Sequence, residues 1–327
     1  QVILVMDDLG LVEEGRAIPM PLYEFMVHLD GTNSIRDLQM LLMRQKGGLL
    51  VGADEVNRIL EHLDQSFILD TEKYKAARQR VVEQFSIIKI RPCSHCGRSY
   101  PNHPKELEAI LEEILGRAEG ARLWPDGRVK AIIAPHIDLS AGAGAYAKAY
   151  QCLKGQSPDR VIVIGVGHQM WGDLFCLTEK DFQTPLGIVR NDLGAVRRLR
   201  EAGGAVISED DFFFRAEHSV EFQMIFLQHL LEKDTFTIVP VLCGPLYGVL
   251  PSYTRQAYLE TASPFLGALS KLVGDQEKET LVVVGVDFSH IGPKFGHDMP
   301  AEYLQRQSEA HDRKLLDALS AWDADAY

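Results

Sequence analysis

Four segments of this chain, 130–134, 160–165, 235–242 and 280–286, are apolar almost without interruption, and helical sequence separates them. A strand that is apolar on both faces must be covered on both, and a parallel sheet between two helical layers does this. Helices predicted at 104–118, 141–153, 219–231 and 255–273 supply those layers. The stretch 174–189, with its Thr184-Pro185-Leu186-Gly187 turn, is expected to add antiparallel strands. The fold class is therefore read as α/β, a mostly parallel sheet flanked by helices.

The first part of the chain has a different pattern. Pro19 and Pro21 precede a helical stretch at 22–29 that stops at Asp30-Gly31. Thr32-Asn33-Ser34 offers capping oxygens for a helix at 35–44, with Leu38, Leu41 and Leu42 on one face. A third helix is expected at 54–64, where Val56, Ile59, Leu60 and Leu63 share a face. A short strand is expected at 67–70, and a charged helix at 72–84 bridges to the rest. Residues 1–86 thus read as a small winged-helix-like domain, and 87–327 as the α/β domain. Acidic residues outnumber basic ones in the first domain, so it is expected to dock a protein or peptide rather than DNA, which demands clustered positive charge.

Charge and composition exclude other classes. A formal net charge of −12 speaks against a nucleic-acid partner for the chain as a whole. No apolar run reaches the length of a membrane span, and the opening residues lack the basic lead of a signal peptide. Five scattered cysteines are too few for a disulfide framework, which points to a reducing, cytoplasmic setting. Cys93 and Cys96 form a CxxC that fits either a zinc knuckle or an ordinary buried turn. Gly165-Val166-Gly167 comes after a strand but lacks the third glycine of a dinucleotide site, so no nucleotide is expected. Gly142 and Gly144 fit close helix–sheet packing, and Cys243 reads as a buried structural thiol.

The chemistry sits where strands end. The run Ala131–Pro135 leads into His136 and Asp138, Val161–Gly167 into His168, and Leu281–Val286 into Asp287, Ser289 and His290. Ligands of open α/β sheets bind at the carboxyl ends of strands, so these side chains are expected to converge on one rim. Imidazole with carboxylate suits Fe(II), Zn or Mn. His136 and His168 are the candidate metal ligands, and His290, Asp287 and His218 the candidate catalytic groups. Glu217, His218 and Glu221 open a predicted helix at spacings that share a face, so Glu217 and Glu221 are candidates to orient the imidazoles, with Asp138 as a further carboxylate.

An ordered set of segments resembles the Memo family. It runs Ser94-His95-Cys96-Gly97-Arg98-Ser99-Tyr100-Pro101, Ala-Pro-His136-Ile-Asp138, Gly-Val-Gly-His168, Thr-Pro-Leu-Gly, Glu217-His218-Ser219-Val-Glu221-Phe-Gln223, Ile-Val-Pro-Val-Leu-Cys-Gly and Asp287-Phe-Ser-His290. The Pro-His-Ile-Asp form is similar to the branch called AmmeMemoRadiSam system protein B, and the resemblance begins near Cys93. It implies a fold like the catalytic subunit of class III extradiol dioxygenases and one divalent metal, Fe(II) first, with Zn or Cu as alternatives. It also implies metal ligation by His136 and His168, and a site-lining or acid–base role for Asp287 and His290. The family's third ligand is a cysteine in a Cys-Gly motif, expected here beyond Tyr327, so the α/β domain is read as truncated at its C-terminus. The branch name implies a radical-SAM protein and a third pathway protein as partners. Three functions are compatible: a non-haem Fe(II) dioxygenase-like redox enzyme, a non-catalytic metal-binding scaffold or adaptor, and a metal-assisted hydrolase or lyase.

Overall fold

The structure, a computed structural model, describes residues 2–12, 15–118, 127–247, 249–250, 252, 254–321 and 323. The chain forms two compact units, Gln1–Ile88 and Lys89–Tyr327.

In the first unit, β1 (Val2–Leu4) and β2 (Ala17–Pro19) pair antiparallel and lead into α1 (Met20–Met26). Then come α2 (Ile35–Gln45), α3 (Ala53–Gln65) and α4 (Glu72–Ile87). Ser34 caps α2 reciprocally with Asp37, which satisfies donors that a helix start otherwise leaves open. Phe25, Leu38, Leu42, Val51 and Val56 make this unit's core. The strand expected at 67–70 does not form. Phe67 takes a left-handed backbone (φ 57°) just past α3, its N–H donating to Asp64 O and that of Ile68 to Leu63 O. That is a helix-terminating turn, and it uses the N–H groups of Phe67 and Ile68 that a strand would have offered to a neighbour.

The second unit is built on an eight-stranded sheet. In chain order, β3 (Ile90–Arg91) and α5 (Pro104–Gly116) precede β4 (Ala131–Ala134), α6 (Leu139–Tyr150) and β5 (Arg160–Val166). Next are β6 (Phe175–Leu177), β7 (Asp181–Thr184), β8 (Gly187–Asn191), α7 (Leu193–Gly203) and α8 (Glu221–Leu230). The unit continues through β9 (Thr237–Cys243), α9 (Arg255–Val273), β10 (Thr280–Gly285) and α10 (Ala301–Ser320). The strand order is β3-β7-β8-β9-β5-β10-β4, with β6 antiparallel to β9 and β7 antiparallel to β8. All other pairings in this sheet are parallel, as the continuous apolar strands require.

One face of the sheet packs on α7 and α9 through Ile162, Val239, Val241, Val196, Leu199 and Phe265. Elsewhere Tyr146 and Tyr150 of α6 stack on Phe226 of α8 at 4.8 and 4.6 Å between ring centroids. Each fully buried large side chain of this kind contributes about 1.5–3 kcal/mol. Register sets the next level. Val284 of β10 pairs with both Ile164 of β5 and Ile133 of β4, so the three strands finish almost together. His168 just past β5, Asp287 just past β10 and His136 just past β4 therefore all stand at one edge of the sheet.

Candidate metal centre

The segment before α8 is sewn to that edge. Ser219 Oγ accepts from the Val166 N–H at 3.0 Å and donates to Val166 O at 2.9 Å. Gln223 Nε2 donates to Pro135 O, and the Tyr150 hydroxyl donates to Gln223 Oε1 at 2.6 Å. Glycine makes the approach possible at Gly165 and Gly285. A Cβ on Gly165 would lie 2.5 Å from Ser219 Oγ, and one on Gly285 would lie 2.8 Å from Gln223 Nε2. The glycines at these strand ends serve close packing against the segment that opens α8.

This anchoring brings His218 over His136 and His168. Ring centroids are 5.1 Å apart for His136 and His168, 4.7 Å for His168 and His218, and 5.4 Å for His136 and His218. Among the described residues, these three form the one group of His, Cys, Asp or Glu side chains able to hold a metal ion, each offering a ligand atom within 4.8 Å of the others.

Hydrogen bonds settle which nitrogen is free on two of the rings. His136 Nδ1 donates to Gly285 O at 3.1 Å. His168 Nδ1 meets both oxygens of Glu217 at 3.0 and 3.1 Å. Nε2 is the atom left on both rings that could ligate a metal, the arrangement by which a carboxylate or carbonyl orients a metal-binding imidazole. Glu217 is the hub. Its carboxylate also accepts the backbone N–H groups of His168, His218 and Ser219 and lies 3.4 Å from His218 Nδ1.

These contacts set the charges. Burial alone would push the Glu217 carboxyl up, but the hydrogen bond and charge of His168 and the Ser219 amide outweigh it and hold it at about 2. The Glu217 bond raises His168 above the usual imidazole range against its burial. Burial lowers His136 in spite of Asp287, and burial with the neighbouring rings brings His218 down to about 4 in spite of Glu217. His136 and His218 are therefore neutral near pH 7, the form in which imidazole ligates metal. The donor set fits a divalent transition metal.

The rim beyond the imidazoles carries Asp287 and His290. Asp287 Oδ1 accepts the His136 backbone N–H at 2.8 Å, and its Oδ2 lies 3.4 Å from His136 Nε2 and 3.7 Å from His290 Nε2. His290 is half exposed and stands edge-on to Phe295. A cavity of about 920 Å³ opens there, walled by Ile133, Ile137, Phe288, Ile291 and Phe295, with Asp287 and His290 in its lining.

His218, a candidate catalytic group from the sequence, lies in the cluster as its third imidazole. Three expectations are corrected. Asp138, expected to join the site, instead caps α6, its carboxylate accepting from the Ser140 and Ala141 amides. Glu221, expected to orient an imidazole, is fully buried against Arg91, the Tyr100 hydroxyl and the amides of Ser94 and His95. The helix begins only at Glu221, so the same-face spacing assumed from Glu217 onward does not apply. Cys93 and Cys96, read as a zinc knuckle or an ordinary turn, are joined by a half-buried disulfide, a departure from five reduced thiols. Cys243 packs against the core as expected, its thiol pushed up to about 12 by burial.

Sequence reasoning missed Arg91 and the packing role of His95. Arg91, fully buried, donates to Phe214 O and Glu217 O and pairs with Glu221, so it fixes the segment that carries Glu217 and His218. The His95 ring lies 5.4 Å from that of His218. No helix among the described residues is long and apolar enough to cross a membrane.

Comparison with known proteins agrees with this layout. A sequence model of the family described as Memo-like protein matches residues 91–327. A MEMO1 family protein of Aquifex aeolicus is 29% identical over 321 residues, covering 97% of this chain and 78% of that protein. One from Thermus thermophilus is 29% identical over 283 residues, 86% of this chain and 79% of its own. The Danio rerio protein MEMO1 is 28% identical over 212 residues, 63% of this chain and 64% of its own. On a family match that spans the whole of the sheet but its first residue, and every histidine of the cluster, this chain belongs to the Memo-like protein family.

Proposed function

We propose that this protein holds one divalent metal on His136, His168 and His218, Fe(II) ahead of Zn or Cu, and uses it in a dioxygenase-like redox reaction. The observation that carries this reading is the convergence of three imidazoles, two of them with Nδ1 already bonded and Nε2 left for a metal. Three protein ligands leave coordination positions open, as a reactive centre requires. When bound, any of these metals would supply Lewis acidity, and Fe or Cu would add one-electron redox chemistry, which Zn lacks. The chain's own residues do the rest. Glu217 keeps His168 in its ligating orientation, and Asp287 spans the gap between His136 and His290. His290, half exposed at the cavity with its Nε2 3.7 Å from Asp287 Oδ2, serves to take or give a proton. The apolar walls beside it suit a substrate with a hydrophobic body.

An adaptor that only stores metal needs no acid–base pair facing a cavity, and this favours the enzyme reading. The test is elemental analysis after anaerobic purification, combined with oxygen uptake. The wild-type chain should retain metal near stoichiometry, and a His136→Ala, His168→Ala double variant should lose it. Retention by the double variant would sink the proposal. Metal retention with no oxygen uptake across hydrophobic candidate substrates would leave the scaffold role as the better reading.

A further inference from the structure

The CxxC turn lies against the histidine cluster, and nothing in the proposed redox reaction uses it. The disulfide encloses two residues, Ser94 and His95. Both donate their backbone N–H groups to the buried Glu221 carboxylate, at 3.0 and 2.9 Å. The His95 ring is held by Ala216 O at Nε2 and by Ser99 Oγ at Nδ1, and it packs against His218 and Phe222. One side-chain contact thus separates the disulfide-closed turn from an imidazole of the candidate metal centre.

We infer that Cys93 and Cys96 are a reversible dithiol/disulfide couple, open to exchange with external dithiols, whose state sets the packing of His95 on His218. Three observations support it. Both cysteines are half-buried, beside the exposed Gly97 and Arg98, so a thiolate can reach them. A bridge between residues three apart closes too short a loop to constrain the unfolded chain much, so it is a poor structural staple. The turn also has its own hydrogen bonds, Gly97 N–H to Tyr100 O at 2.7 Å and Ser99 N–H to His95 O at 2.9 Å, so opening the bridge loosens Ser94 and His95 without unfolding the segment.

The exchange balances with a dithiol such as dithiothreitol as reductant. Its thiolate attacks one sulfur and forms a mixed disulfide, and its second thiol then displaces the protein sulfur. Two electrons and two protons end on Cys93 and Cys96, and the reagent leaves as its own disulfide. With the ring opened, Ser94 and His95 are held by hydrogen bonds alone, and His218 loses part of the support that fixes it.

Only the metal arm of the test depends on the metal-centre reading. The metal-free full chain is equilibrated in buffers of reduced and oxidised dithiothreitol, and thiols are trapped by alkylation and mapped. Cys93 and Cys96 should gain two alkyl groups together, reversibly, with the fold retained. Imidazole resonances of His95 and His218 should move between the two forms. Once the reagent is removed, Co(II) should bind the reduced form about tenfold more weakly, the order expected when support of a ligand is lost. A Cys93→Ser, Cys96→Ser variant should match the reduced form and ignore dithiothreitol. Reduction only on unfolding, or imidazole resonances that do not respond, would overturn the inference, as would equal Co(II) affinity in the two forms. If Co(II) binds neither form while the resonances still move, the redox couple stands and the metal reading fails.

Discussion

The two ends of the same sheet handle buried charge in opposite ways. At the amino end, Arg160 opens β5 almost fully buried, donating to Asp192 at 2.9 Å and to Asp275 at 3.2 Å, and Lys278 adds a second bond to Asp192. Each of these charges has a partner. At the carboxyl end, Glu217 is as completely bonded, yet the imidazoles around it keep ligand atoms directed at one another. Bonding at the first end is spent on holding strands together. At the second it fixes groups that remain able to take another atom. Burial and a displaced pKa are common to both ends, so neither property alone marks a functional site; what separates the ends is the remaining coordination capacity.

Substituting Arg160 breaks the first half of the comparison. Arg160→Met keeps much of the volume but strands the buried side of Asp192, which retains Lys278 and the Ala195 amide. Removing one partner of a buried pair costs about 3–5 kcal/mol, and Lys278 places this case at the lower end. Urea unfolding should show that loss while metal stoichiometry stays at the wild-type level. A stable variant, or one that folds normally and loses metal, would erase the contrast.

Glu217→Gln tests the other half. The amide is neutral and presents a donor where the amides of His168, His218 and Ser219 also donate, so it cannot reproduce the carboxylate. Metal affinity should fall roughly 10–100-fold, the range for losing a group that orients a ligating histidine. Titration with Co(II) reads the change, and unaltered affinity would reduce Glu217 to a loop-holding role.

How much of this could be read in the sequence depended on distance along the chain. The sheet was legible because apolar runs and intervening helices are local patterns, and His136, His168 and Asp287 were legible because each stands at the end of such a run. Asp138 was misread although its own signal was local: an Asp before Ser140-Ala141 is an ordinary helix cap. Glu221 was misread for a different reason. Its partner Arg91 lies 130 residues away and is a lone arginine in a two-residue strand, which no periodicity announces. The place of His218 likewise needed the seam between Ser219 and Val166, a contact across 53 residues.

The smallest effect is acid sensitivity at the amino end. Burial would raise the Asp192 carboxyl, but the Ala195 amide, Arg160 and Lys278 together hold it at about 2, below the unfolded value of about 3.9. A carboxylate depressed by folding stabilises the protein fully above its unfolded pKa, and that contribution drains away as pH falls through the folded value. Lys278 is half exposed, so solvent screens part of the interaction and the expected loss is about 1 kcal/mol between pH 5 and pH 2. Asp192→Asn isolates it. Asparagine caps a helix as well as aspartate, so the bond to the Ala195 amide at the start of α7 is kept while the titrating charge is removed. Urea midpoints compared at pH 5 and toward pH 2 should therefore fall less steeply in the variant than in the wild type. Parallel slopes would mean that Arg160 draws its stability from Asp275 and packing, and that the partnered end of the sheet owes less to charge than its geometry implies.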